Sequence, residues 1–389
     1  MRRVSRLILK IFSNRRWFSA ALLAAMLASC APTVEKKVWD LTWPLPPDEP
    51  RIKYVEILQS SADVGEQGGV AEALFGSDVM VLSKPYGVAV DKEGRVFVTD
   101  AGAVFVFDKK NRKFSMIGVE PGVGKLNTPA GVAVSKVDGR VYVTDIGLKR
   151  LYIYDREGKY LNAIGKENEF TNPIGVVVDD KRGRVYVVDS KKRNVRAYST
   201  DGRFIMDIDL AKDGLKYFHT PTELALDSVG NIYVSDTQAF SIKIFDPDGN
   251  FQKIIGKLGD VPGNFARPKG VALDSEDHMY VVDAAFNNFQ IFNKEGQVLL
   301  FVGAGGSNPG EFNLPAGIAI DDEDRIYVTE QYNARVQVFQ YMSEKWKRAH
   351  PDLWEKAQQV SREAPVKKED PPEKKAPVNK EDKAEEKAE

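Results

Sequence analysis

Three side chains near the middle of the chain are of the types that bind divalent cations. Glu223 comes four residues after His219, and Asp236 ends a strand-like run thirteen residues later. Imidazole nitrogens and carboxylate oxygens are common ligands of such ions in proteins. One hypothesis is therefore a divalent cation held by Glu223, His219 and Asp236. The alternative is an ion pair between Glu223 and Lys269, because structural ion pairs resemble functional sites in sequence.

Other groups that could carry out chemistry are few. The chain has three histidines (His219, His278 and His350) and one cysteine, Cys30. No serine stands in a nucleophile elbow, and no glycine-rich loop suited to phosphate is present. With 55 basic and 56 acidic residues the formal net charge is −1, so the composition favours no nucleic-acid partner. We expect no cofactor, and a divalent cation is the alternative.

These residues stand within a repeat. Six copies open at Pro85, Pro129, Pro173, Pro221, Pro268 and Pro315, which are 44, 44, 48, 47 and 47 residues apart. Each copy has a short apolar strand, a tight turn, a strand such as Val-Tyr-Val-x-Asp, and a third alternating strand. This period predicts an all-β fold, a six-bladed β-propeller of four-stranded antiparallel blades. Glu223 is an exception, since the other five copies have glycine at its position: Gly87, Gly131, Gly175, Gly270 and Gly317.

The sixth copy has no outer strand of its own. Residues 51–58 precede the first repeat and alternate between apolar and polar side chains as a strand does. We therefore predict that strand 51–58 completes the last blade and closes the ring, which removes two exposed sheet edges.

The copies resemble the NHL repeat, a family of six-bladed propellers, over residues 51–341. The resemblance rests on Pro-x-Gly-Val-Ala-Val-Asp followed by Val-Tyr-Val-x-Asp, which recur in register. It implies the fold and a ligand-binding face but no single activity, since relatives bind proteins, RNA or small molecules and a few are lyases. Three histidines are too few for the zinc site of such lyases. A lactonase-type calcium site is an alternative, with Glu223 and Asp236 as two of its ligands.

The strand order places the loops between blades and the loops between second and third strands on one face. These loops vary most among the copies, and variable loops on a rigid scaffold are where binding residues usually lie. One sector is basic, with Lys149, Arg150, Lys191, Lys192 and Arg193. The opposite sector is aromatic and amide-rich, with Phe240, Phe286, Asn288, Tyr332 and Arg335. We expect this face to bind a protein, a peptide or a glycan; the alternative is a set of solvated loop tips.

An acidic residue ends the second strand of every copy. The six are Asp100, Asp145, Asp189, Asp236, Asp283 and Glu330. A ring of carboxylates could bind metal, but we expect these groups to accept hydrogen bonds from the amides of the following turn.

The N-terminal residues resemble an export signal. A basic stretch over residues 2–16 precedes an apolar run over 17–29 that is too short to cross a bilayer comfortably. The sequence Leu-Ala-Ser-Cys ending at Cys30 resembles a bacterial lipoprotein signal, which implies cleavage before Cys30 and lipidation of its thiol. Ala31 after the cysteine favours the outer membrane. We divide the chain into a signal peptide (1–29), a lipidated cysteine with a proline-rich spacer (30–50), the propeller (51–341), a short helix (342–363) and a disordered Lys/Glu/Pro tail (364–389).

Together these features predict a membrane-anchored envelope lipoprotein whose propeller is a binding scaffold for a protein, peptide or glycan. The alternative is a metal-dependent lyase or lactonase-like hydrolase with its site at the channel mouth. We expect a scaffold rather than an enzyme.

Overall fold

The computed structural model of the chain describes residues 39–65, 79–208 and 218–363. The predicted signal peptide, Cys30 and the predicted tail lie outside the described residues. Within the described part, no helix is long and apolar enough to cross a membrane.

The described residues form six antiparallel sheets. Five have four strands in chain order, and the sixth has five strands, of which two come from the N-terminal part of the described chain. Blade 1 contains Val88–Val90, Val96–Asp100, Ala103–Asp108 and Lys113–Ile117. Blade 2 contains Pro129–Val134, Val141–Asp145, Arg150–Tyr154 and Tyr160–Ile164. Blade 3 contains Pro173–Asp179, Arg184–Asp189, Asn194–Ser199 and Phe204–Ile208.

The remaining three blades continue the same pattern. Blade 4 contains Pro221–Leu226, Ile232–Asp236, Ser241–Phe245 and Phe251–Ile255. Blade 5 contains Pro268–Leu273, Met279–Asp283, Asn288–Phe292 and Val298–Val302. Blade 6 contains Pro315–Ile320, Arg325–Glu330 and Arg335–Tyr341 from the end of the repeat, with Ile52–Leu58 as its fourth strand and Thr42–Trp43 as a fifth.

The ring closes in the way the sequence predicted. Ile52–Leu58 pairs antiparallel with Arg335–Tyr341, from Ile52 opposite Tyr341 to Leu58 opposite Val336. The first strand of every blade contacts the first strand of the next, including that of blade 6 with that of blade 1. The first strands therefore surround a central channel, and the protein is a six-bladed propeller.

The first strands approach one another so closely that only glycine fits at one position. A Cβ atom on Gly131 would lie 2.3 Å from the Ile174 carbonyl oxygen of the next blade, and one on Gly317 would lie 2.4 Å from the Tyr86 carbonyl oxygen. Contacts this short are not tolerated, so the glycine of the repeat is a packing requirement. Glu223 occupies this position in blade 4, where the packing must differ.

The core lies between adjacent blades. Between blades 1 and 2, for example, buried Phe97 and Val104 pack with Val132 and Val143 in one apolar cluster. Between blades 5 and 6 the rings of Phe289 and Phe339 meet edge to face, 5.6 Å between centroids. Each blade is thus stabilised by both of its neighbours.

Two helices follow the propeller, where the sequence predicted one. The first, α1, spans Glu344–Ala349 and begins at Ser343, whose side chain accepts a hydrogen bond from the Trp346 N–H (3.2 Å). The second, α2, spans Pro351–Glu363. Proline disfavours helical geometry in the residue before it, and His350 accordingly leaves the helical region at φ −133° and ψ 57°.

Candidate binding face and central channel

The acidic side chain at the end of each second strand accepts hydrogen bonds from the loop that precedes the first strand of the same blade. The Asp189 carboxylate accepts hydrogen bonds from the N–H groups of Thr171 (2.6 Å) and Asn172 (3.0 Å), just before the first strand. It also accepts one from the N–H of Lys192 (3.0 Å), in the following turn. Bonds to the two residues before the proline recur at Asp100, Asp145, Asp236 and Asp283. The expectation of a structural role is confirmed, with the correction that most donors lie in the preceding loop.

This arrangement explains why His219 and Asp236 are close without forming a metal site. The N–H of His219 donates to Asp236 (2.8 Å), as does the N–H of Thr220 (2.7 Å). The ammonium group of Lys243 forms a buried ion pair with the same carboxylate. Among the described residues, no group of three His, Cys, Asp or Glu side chains is placed to hold a metal ion. His219, Glu223 and Asp236 are therefore not assembled as a ligand set.

Glu223 lies in the wall of the central channel. Its Oε1 atom is buried and has no hydrogen-bond partner, and no ion pair joins it to Lys269 among the described residues. Burial raises the pKa of the Glu223 carboxyl to about 8, although the charge of Lys269 acts in the opposite direction. The group is therefore mainly protonated at neutral pH, which the sequence did not indicate.

The blade around Glu223 is tied to its neighbour in an unusual way. In blades 1, 2 and 6 the second strand has a threonine whose hydroxyl group links two blades. The hydroxyl accepts a hydrogen bond from the N–H of the repeat glycine and donates one to a carbonyl oxygen of the next blade. The three threonines are Thr99, Thr144 and Thr329. Blade 4 has Ser235 at that position, and its buried Oγ has no hydrogen-bond partner. Thr237 donates to the Pro268 carbonyl oxygen (2.7 Å) instead. Ser235 is left opposite Glu223, its cross-strand neighbour.

The channel itself is a cavity of about 280 Å³. Its wall consists of the first strands of all six blades, in which valine, leucine, isoleucine, alanine and glycine predominate. Lys136 and Asp180 are its charged residues at the end of the first strands, and Glu223 is the acid near their beginning. The sequence predicted Glu223 as exceptional; it did not predict Ser235 or Tyr86 beside it.

The predicted basic sector is exposed. Lys149, Arg150, Lys191, Lys192 and Arg193 all lie at the surface, in the second-to-third-strand loops of blades 2 and 3. Lys192 is held in place, because its Nζ donates to the carbonyl oxygens of Asn168 (2.6 Å) and Glu169 (2.9 Å). The sector keeps its positive charge on the face that carries the variable loops.

The predicted aromatic sector is only partly available. Tyr332 is 73% exposed, whereas Phe240, Phe286 and Asn288 are partly buried. Phe240 packs against the apolar cluster between blades 4 and 5. The side chains that a ligand could reach are thus fewer than the sequence predicted.

Arg335 is buried and its predicted place on the ligand face is wrong. The side chain is 6% exposed and forms an ion pair with Glu330. Its guanidinium also donates to the carbonyl oxygens of Ser307 (2.8 Å) and Glu311 (2.9 Å). Glu330 is one methylene longer than the aspartates of the other blades, so its carboxylate can reach an arginine in the third strand.

Exposed apolar side chains on the same face were not predicted. The loops between blades carry Val119, Val123, Leu258, Val261 and Leu314, the segment before blade 1 carries Val79, Met80 and Val81, and Leu148 and Tyr332 lie in second-to-third-strand loops. The turns of the opposite face carry only Val137 and Val229 among the exposed large apolar residues of the described chain. We call the former surface, together with the basic sector, the binding face.

Comparison with known proteins agrees with this architecture. A family described as a six-bladed β-propeller matches residues 131–224 and 223–287, and the NHL repeat matches residues 312–339. A comparison with curated protein sequences gave no match.

Solved structures show the same fold at low sequence identity. A protein of unknown function from Bacteroides thetaiotaomicron is 20% identical, with a TM-score of 0.55 over 73% of this chain and 76% of that one. An auxiliary nutrient binding protein from the same organism is 15% identical, with a TM-score of 0.53 over 67% and 70%. Virginiamycin B lyase from Staphylococcus aureus is 16% identical, with a TM-score of 0.52 over 74% and 99%. At such identities the likeness shows the fold alone.

The observed fold and the family match together place this protein in the class of six-bladed β-propellers. Within that class, the resemblance of the repeats to the NHL repeat is confirmed.

Proposed function

We propose that this protein is a non-enzymatic binding scaffold of the bacterial cell envelope, and that a protein or peptide partner docks on the binding face. The observation that carries the proposal is the asymmetry between faces. Among the described residues, ten of the exposed large apolar side chains lie on the binding face and two on the turns of the opposite face. A concentration of exposed apolar side chains on one face typically marks an interaction site.

The chemistry of the face favours one kind of partner. Aliphatic side chains such as Val123, 78% exposed, suit the apolar side chains of a polypeptide better than the hydroxyl groups of a glycan. The neighbouring basic sector, from Lys149 to Arg193, suits acidic side chains and increases the rate of association with them. The partner is therefore an acidic protein or peptide segment with apolar side chains. The alternative of a metal-dependent lyase or lactonase-like hydrolase has only a likeness of fold in its favour.

We also propose that the scaffold is held at the outer membrane by lipid on Cys30. The sequence around Cys30 supports this. Thr42 pairs with Lys53 and Trp43 with Ile52, so the chain is attached to the edge of blade 6 from Thr42 onward.

Photo-cross-linking from the two faces tests the docking proposal. A photoreactive residue is placed in intact cells at Val123, Leu148 or Tyr332 on the binding face, and at Val137 or Val229 on the opposite face. All five side chains are exposed, so the substitutions leave the core intact. We expect one defined cross-linked partner from the binding-face positions only. Equal cross-linking from both faces, or none from either, would refute the proposal.

A further inference from the structure

Two buried polar atoms without partners belong to neighbouring strands of blade 4. They are Oε1 of Glu223, in the channel wall, and Oγ of Ser235, and their residues are directly opposite in the ladder between the first two strands. Paired residues of an antiparallel ladder point to the same side of the sheet, so the two side chains are neighbours. A buried polar group without a partner is energetically unfavourable. Two together indicate a site whose occupant supplies the missing hydrogen bonds.

Among the described residues, one cationic side chain acts on this end of the channel. Lys269 of blade 5 extends toward blade 1, with its Nζ atom 5.7 Å from the ring centroid of Tyr86. Burial raises the pKa of the Glu223 carboxyl, and the charge of Lys269 is the one that acts on this group. Burial lowers the pKa of Lys269, together with Arg267 and Lys84, which lie near it. A cation beside a buried carboxyl group that is protonated favours an anionic ligand over a cationic one.

The donors present suit a carboxylate in particular. A protonated Glu223, the Ser235 hydroxyl and the Lys269 ammonium each donate a hydrogen bond, and hydrogen bonds from charged donors to carboxylates are among the strongest. Beyond them the wall of the cavity is apolar, and its volume of about 280 Å³ admits a small organic group. A bound water could satisfy Glu223 and Ser235 but would leave the charge of Lys269 uncompensated.

We propose that the Glu223 end of the central channel binds a carboxylate group, with Lys269 and Ser235 as its direct partners and its apolar remainder in the channel. The source is either a small free carboxylic acid or the C-terminal carboxylate of a polypeptide. This site goes beyond the scaffold function and does not depend on it, because the channel and the binding face have different residues.

Calorimetric titration of the full chain tests the site. The probes are butyrate, butylamine, and the tripeptide Ala-Ala-Ala with a free or an amidated C-terminus, at pH 6.5. We expect butyrate, the free tripeptide or both to bind one to one with a Kd of about 1 mM or below. Binding of butyrate alone identifies a free acid, and binding of the tripeptide with loss on amidation identifies a polypeptide terminus. Absence of carboxylate binding, or tighter binding of butylamine, overturns the proposal and leaves water as the occupant.

Matched variants assign the residues. Lys269→Met should weaken binding by about tenfold or more, because it removes a charged donor. Lys269→Arg should restore part of it, which separates a binding role from a folding defect. Lys136→Met at the other end of the channel is the control and should bind like the unchanged protein. Equal affinity in Lys269→Met and Lys136→Met contradicts the assignment.

The pH dependence gives a second, independent readout. The titratable groups that face Glu223 are Lys269 from blade 5 and Tyr86 from blade 1. Above about pH 8 the Glu223 carboxyl ionises and repels a bound carboxylate, so affinity should fall there. Glu223→Gln keeps a neutral donor and should retain affinity at higher pH. A Glu223→Gln variant with the same loss of affinity as the unchanged protein would overturn this role.

Discussion

Register and side-chain length decide the role of individual residues on this scaffold. Arg150 and Arg335 occupy equivalent ladder positions, opposite Asp145 and Glu330 respectively. The Asp145 carboxylate is engaged by backbone N–H groups and Arg150 stays exposed. Glu330 forms an ion pair with Arg335, and both side chains are buried. The sequence showed two arginines in variable loops, and only the geometry of the acid beside each one separates them.

Glu223 shows which part of a site the repeat pattern can reveal. Its departure from glycine was visible in the sequence, because five aligned copies define what is normal at that position. Its environment was not visible, because Ser235 and Tyr86 belong to other strands and Tyr86 to another blade. Ser235 precedes the predicted ligand Asp236 in the same strand, and Lys269 belongs to the adjacent blade, whereas Tyr86 becomes a neighbour only when the ring closes.

The protonated state of Glu223 predicts a measurable pH dependence of stability. The folded chain retains a proton up to about pH 8 that the unfolded chain releases near the ordinary pKa of 4.5. The folded state therefore binds more protons in this range, and the free energy of unfolding falls as pH rises from about 4.5 to about 8. Glu223→Gln removes this loss. We expect its Tm to equal that of the unchanged protein near pH 4.5 and to exceed it by about 2 °C or more at pH 8.

Thermal melts across this pH range provide the measurement. The exposed Glu167, changed to Gln, is the control and should follow the unchanged protein at every pH. A Tm difference for Glu223→Gln that does not vary with pH would show that Glu223 is ionised throughout.

At the scale of elements, the alternation of side chains predicted nearly everything that forms a long strand. The closing strand is the clearest case, since Ile52, Tyr54 and Leu58 are buried as the period-two pattern requires. The fifth strand, Thr42–Trp43, was not predicted, because a strand of two residues is too short to show an alternation of apolar and polar side chains. The break between α1 and α2 was missed although Pro351 signals it.

The closing strand makes a direct prediction about stability. A chain that begins at residue 59 loses three buried side chains, each worth about 1.5–3 kcal/mol, and exposes the edge of strand Arg335–Tyr341. We expect its Tm to fall by more than about 10 °C relative to a chain that begins at residue 40. Differential scanning calorimetry of both chains measures this. Equal melting temperatures would contradict closure by this strand.

At the scale of the whole molecule, the proposed anchor and the binding face are separate parts. The anchor would act through Cys30, and the face is formed by loops of the propeller. Cys30→Ser should therefore move the protein from the outer-membrane fraction to the soluble periplasmic fraction without changing its Tm. Fractionation followed by immunoblotting measures this, and Ala31→Ser is the control. Retention of Cys30→Ser in the membrane fraction would refute the lipid anchor.

The most direct test of the central claim is charge reversal on the binding face. Lys149, Arg150 and Lys191 are changed together to Glu, and Lys192 is kept because it holds the carbonyl groups of its neighbouring loop. The control reverses three exposed lysines in turns of the opposite face: Lys92, Lys110 and Lys159. The measurement is the affinity of each variant for the partner identified by cross-linking. We predict that the binding-face variant loses about tenfold or more while the control stays unchanged; equal affinity in both would contradict docking on this face.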